Sequence, residues 1–188
     1  MINPAFIVDG QMEKKILQII CPRHPIRLLN CNGKNVSYDA AAKHAASLIR
    51  LLKNNYPIII IFDREDRLDN SNEIAKKLLD AIHQHGIQSV DILIGVPDCM
   101  TENWMLADIN SINIYYDLKE PVSQSCFDGT HGKGKIRSFI GNKNYSETQD
   151  GPEIFNKCCL ESLCNNSPSF KAFHSIINRL DCRWLSSS

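Results

Sequence analysis

The chain has 188 residues, 43% of them hydrophobic, 22% charged and 7% aromatic, which suits one packed domain and not a disordered chain. No apolar run approaches the ~20 residues needed to cross a bilayer, and the opening MINPAFIVDGQMEKK lacks the basic start and long apolar stretch of a secretion signal. The formal net charge is zero, which argues against an indiscriminate coat for DNA.

That charge is unevenly spread. Residues 1–55 hold eight Lys/Arg against three Asp/Glu, residues 56–120 five against twelve, and residues 121–188 eight against six. An acidic middle between basic flanks suits a cation site that works on a phosphate polymer, because carboxylates hold cations and basic residues hold phosphates. The eight cysteines, with no secretion signal, read as reduced thiols in a cytoplasmic protein.

In chain order, residues 5–8 (AFIV) form a short buried strand that ends at Asp9-Gly10. Residues 11–20 carry apolar side chains at helical spacing until Pro22 and Pro25 stop the helix. A brief strand over 26–29 leads into turn chemistry at 30–34. Ala41, Ala45, Leu48 and Leu52 make a helical stripe over 38–53. Residues 58–62 (IIIIF) are five β-formers without alternation, which implies burial on both faces of a parallel sheet.

Beyond an acidic loop, Asn70 reads as an N-cap with Glu73 three residues on, and Ile74, Leu78 and Ile82 line the helix that ends near Gly86. Residues 90–94 are the fourth strand. This alternation predicts an α/β fold with an open, mostly parallel four-stranded sheet and flanking helices. Residues 100–110 read as a helix; glycines break up 113–144, with a helical turn or two over 135–140. Helices of about a dozen residues start at Gly151-Pro152 and at Ser167-Pro168. The predicted organisation is an α/β core over 1–112 and a loop-rich, helical extension over 113–188 that packs on it.

Open α/β sheets bind ligands at the carboxyl ends of their strands. Asp9 follows the first strand, and Asp63, Glu65 and Asp66 follow the third. If these strands are neighbours, the acids share a small volume and must protonate or bind a cation. Oxygen ligands favour Mg²⁺ or Mn²⁺. Glu102 and Trp104 stand after the fourth strand on the same edge. Glu102 reads equally as a further metal ligand or a solvated helix residue, and Trp104 better as core than as a base-stacking platform. Residues 131–135 (HGKGK) read equally as a surface loop or a phosphate cradle, with Lys133 and Lys135 as alternatives for stabilising transition-state charge. Cys21, His24 and Cys31, and likewise Cys158, Cys159 and Cys164, lack paired zinc-ligand spacings and read as small buried hydrophobes.

Two stretches resemble Toprim domains. Residues 6–13 (FIVDGQME) look like their first motif, an apolar strand followed by an acid and Gly, and residues 60–66 (IIFDRED) look like their Asp-x-Asp motif. Residues 101–108 (TENWMLAD), 131–135, 145–152 (YSETQDGP) and 167–170 (SPSF) extend the resemblance to a bacterial Toprim-like family of about this length, labelled only as a domain of unknown function, DUF4276. That family often sits beside an ATPase gene and is related to the nuclease half of overcoming-lysogenisation-defect proteins. The resemblance implies Mg²⁺- or Mn²⁺-dependent cleavage of nucleic acid, with Asp9, Asp63 and Glu65 as ligands assisted by Asp66 or Glu102, an ATPase partner, and a role in defence against phage. The sequence departs from the pattern twice, with Asp9 for the usual Glu and Glu65 for the second Asp. Without a Walker A motif or second domain the chain is expected neither to hydrolyse ATP nor to pass strands. A homo-oligomer fits the sequence as well as a monomer. A receiver-like signalling module and a non-catalytic subunit that binds a partner or nucleic acid are the rival readings.

Overall fold

The computed structural model describes residues 3–31, 36–178, 180 and 182. Four strands, β1 (Ala5–Val8), β2 (Ile26–Leu28), β3 (Ile58–Ile61) and β4 (Ile92–Gly95), form one parallel sheet in the order β2-β1-β3-β4. The connections are helical: α1 (Gln11–Ile20), α2 (Tyr38–Leu51) and α3 (Ser71–Gln84). The remaining helices are α4 (Thr101–Leu106), α5 (Ile109–Tyr115), α6 (Gly132–Ile140), α7 (Asp150–Lys157), α8 (Leu160–Asn166) and α9 (Pro168–Ile177). The α/β sheet with flanking helices is the architecture the sequence predicts.

The two central strands are buried on both faces, which explains their unbroken apolar runs. Ala5, Ile7, Ile58 and Ile60 meet the alanine-rich face of α2 and the Ile74-Leu78-Ile82 stripe of α3. Phe6, Val8, Ile59 and Ile61 turn the other way, toward α1 and the C-terminal helices. Trp104 sits in that second core, stacked on Phe173 at 4.8 Å between ring centroids, with its indole N–H donated to Ser169 Oγ at 2.9 Å. It is core, as expected. Asn70 caps α3 by accepting from Asn72 and Glu73 backbone N–H, while Glu73 accepts from the Asn70 N–H at 2.9 Å, a complete capping box.

Several boundaries differ from expectation, each for a local reason. The helix expected over 100–110 is two helices, broken where Asp108 turns to accept from Ser111 Oγ at 2.7 Å and from the Cys159 backbone N–H at 2.8 Å. The same Cys159 contact holds Cys158 and Cys159 extended, so α7 stops at Lys157 and α8 begins anew. Residues 131–135 are not a loop: α6 starts at Gly132, with His131 Nδ1 accepting the Gly134 N–H at 3.0 Å. In the turn expected over 30–34, Asn30 adopts φ +54°, and residues 32–34 lie outside the described residues.

The reading of all eight cysteines as reduced is corrected: Cys21, at the end of α1, forms a disulfide with Cys182. The two are 161 residues apart, so no local spacing announces the pair. It also removes Cys21 from any zinc set. Cys158 is a buried thiol as expected, whereas Cys159 is exposed, because the extended link between α7 and α8 turns it outward. Among the described residues no helix is long and apolar enough to cross a membrane.

Candidate metal centre at the carboxyl edge of the sheet

Val8 pairs with Ile61 and Ile61 with Gly95, so β1, β3 and β4 end level with one another. The residues just beyond each strand are thereby delivered to one edge. There a cleft of about 310 Å³ is lined by Asp9, Glu13, Asp63, Glu65 and Glu102, together with Lys133 and Glu147.

Each acid is placed by a distinct local device. Asp9 stands directly after β1, and its Oδ1 is buried without a hydrogen-bond partner. Glu13 lies in the first turn of α1 and folds back toward Gly10, where a Cβ would stand 2.7 Å from Glu13 Oε2; glycine at position 10 is what lets that carboxylate return. Asp63 Oδ1 accepts from Thr101 Oγ1 at 3.2 Å. Glu65 holds φ +54°, a left-handed conformation fixed by its N–H donated to the Cys99 carbonyl at 2.7 Å. Glu102 is buried on α4 and accepts from the Tyr145 hydroxyl at 3.3 Å. Behind the cleft, Arg67 lies over the Phe62 ring and donates to the Asp63 and Val36 carbonyls, bracing the loop that carries Asp63 and Glu65.

Crowding acids in a partly dry cleft favours their neutral forms. Burial, then Glu13 and Glu65, push the Asp9 carboxyl up to about 6, against a smaller lowering by Arg67. Burial, with Glu13 and Glu147, raises Glu102 to about 7, partly opposed by its own backbone N–H and by Lys133. Asp63 is raised well above the usual carboxylate range, by burial first and then by Glu13, Glu102, Asp9 and Glu65. Burial raises Glu13 too. Tyr145, beside Glu102, is held firmly as a neutral phenol.

The donor set fits a hard divalent cation. Every acidic donor is oxygen, one of those oxygens is buried and unpartnered, and the carboxylates, once ionised, carry more negative charge than Lys133 balances. As placed, the acids surround a common space and not a common point: among the described residues no three His, Cys, Asp or Glu side chains are gathered into ligating positions.

Of the residues singled out in the sequence, Asp9, Asp63, Glu65, Glu102 and Lys133 line the cleft. Asp66 is exposed and lines a separate pocket with Tyr38 and Arg67, and Lys135 is exposed outside the cleft lining. Glu13 is not among the residues the sequence singles out. Its signal is a charged residue beside Met12 and Ile16 on the apolar face of an amphipathic helix, four residues after Asp9. Tyr145 and Glu147 lie in the stretch 145–152 that the resemblance covers, but nothing in their own spacing marks them as site residues, because they reach the site only through tertiary packing.

No protein-family model, curated protein or solved structure matches the chain.

Proposed function

We propose that the chain is a Mg²⁺- or Mn²⁺-dependent nuclease that hydrolyses phosphodiesters of nucleic acid. One observation carries the reading: carboxylates from four separate stretches converge on a single cleft, one with a buried, unpartnered oxygen. The resemblance of residues 6–13 and 60–66 to Toprim motifs supports it through the same acids. An ATPase partner and a role against phage rest on that resemblance.

Asp9, Asp63 and Glu65 would hold the cation, with Glu13 adjoining. When bound, such a cation activates water and neutralises the departing oxygen. Glu102, held by Tyr145 and with its carboxyl raised to about 7, would accept the proton of the attacking water. Lys133 meets the negative charge that grows on the phosphate oxygens. Thr101 keeps the Asp63 carboxylate turned into the cleft. Of the rival readings, a receiver module needs a fifth strand to carry its lysine, and the sheet of the described residues has four strands.

The test is cleavage of single-stranded DNA, duplex DNA and RNA with Mn²⁺, comparing wild type with Asp63→Ala. Loss of cleavage by at least about 100-fold in the variant is expected. Equal products from both proteins, or none from the wild type on any substrate, overturns the assignment.

A further inference from the structure

Segment 145–150 runs along the cleft in contact with α1 and α6 and is fastened at several points. Tyr145 is buried against Met12 and Glu102. The Ser146 N–H donates to Asp150 Oδ2 at 2.8 Å, and Lys15 Nζ donates to the Thr148 carbonyl at 2.6 Å. This strap sets Glu147 on the lining of the cleft, where its part-exposed carboxylate is ion-paired with Lys133.

The pairing has a cost in a site of this composition. Among the described residues, Lys133 is the only Lys or Arg that lines the cleft. Glu147 neutralises it, and the same carboxylate lies near Glu13 and Glu102. A phosphate that approaches therefore finds its cationic partner already occupied by a carboxylate.

We infer that Glu147 is an internal occupant of the phosphate position: its carboxylate holds Lys133 until a nucleic-acid phosphate displaces it, so that binding requires competition with the protein's own side chain. This rests on the nuclease reading above. The exchange is one anion for another on the same ammonium group, with no bond made or broken. Its effect is to disfavour small, weakly held anions and to favour a polymer whose flanking phosphates add further contacts.

The experiment is fluorescence anisotropy of a labelled single-stranded oligonucleotide with Ca²⁺ as the probe cation, across a salt series. It uses the full chain as wild type, Glu147→Gln, Lys133→Gln and the double variant. An exposed ion pair of ordinary strength predicts about two- to fivefold tighter binding for Glu147→Gln. Because the phosphate displaces Glu147 in the wild type, Lys133 ends on a phosphate in both proteins, so the slope of log K against log salt should be the same in both. In the Lys133→Gln background the same substitution should give no gain, and the slope there should be shallower than in wild type by about 0.7, one phosphate contact fewer. Thermal melting confirms that each variant is folded, and Glu147→Asp, which withdraws the carboxylate by one methylene, repeats the comparison if Glu147→Gln is not. Unchanged or weaker binding by Glu147→Gln, or an equal gain with and without Lys133, overturns this inference while leaving the nuclease reading in place. No oligonucleotide binding by any of the proteins overturns both.

Discussion

Asp9 and Glu102 are carboxylic acids whose surroundings favour the protonated form, one at about 6 and the other at about 7. The consequence for stability has a definite sign. Between the ordinary carboxylate range and these raised values the folded chain keeps protons that the unfolded chain has already released. The contribution is fully present below about pH 4 and is lost as pH rises through 6 and 7. The melting temperature should therefore fall by about 5 °C or more between pH 5 and pH 8, and Mn²⁺ at pH 8 should restore part of it. Differential scanning fluorimetry of wild type and Glu102→Gln measures this. The variant should show a shallower fall, and an identical slope in both proteins would mean that Glu102 does not titrate as described. At this scale the sequence is informative wherever an acid directly follows a strand. Asp9 and Asp63 are legible because a strand end fixes its neighbour's position. Glu13 is not, because a charged residue on the apolar face of a helix is visible only when the stripe is read for exceptions.

Elements whose signals are local are the ones read correctly from sequence. The IIII run of β3 and the Asn70–Glu73 box of α3 each contain their own explanation. The start of α6 does not. Its glycines look like breakers, yet Gly132 is demanded by packing: a Cβ there would stand 2.7 Å from Asn103 Oδ1 and 2.8 Å from the Asn103 backbone nitrogen. Asn103 in turn donates to the Phe127 and Thr130 carbonyls and locks the approach to the helix. Gly132→Ala should thus cost about 1–3 kcal/mol in a urea melt and weaken oligonucleotide binding, because the helix that carries Lys133 must move away from Glu102. Stability within about 0.5 kcal/mol of wild type would show that the contact yields without strain.

Across the whole molecule, the second core joins the sheet to the C-terminal helices, and the Cys21–Cys182 disulfide ties the end of α1 to the far end of the described chain. A link that closes so long a loop restricts the unfolded chain strongly, by about 3–5 kcal/mol in the chain-entropy account. Cys182→Ser, or reduction of the wild type, should lower the urea midpoint accordingly, and the reductant should have no further effect on the variant. Equal midpoints for oxidised and reduced wild type would exclude the bond from solution. No reading of spacing along the chain could find this pair, since it exists only once the tail has folded back.

The two walls of the cleft are made at different times on the ribosome. Most of the acids emerge early, with the sheet that aligns them, whereas Lys133, Tyr145 and α9 come much later. Until those late helices arrive, Phe6, Val8, Ile59 and Ile61 lack the cover of Phe155, Phe170 and Phe173. A nascent chain halted near residue 112 would thus expose a sticky apolar sheet face beside an unneutralised acidic rim, a form prone to self-association.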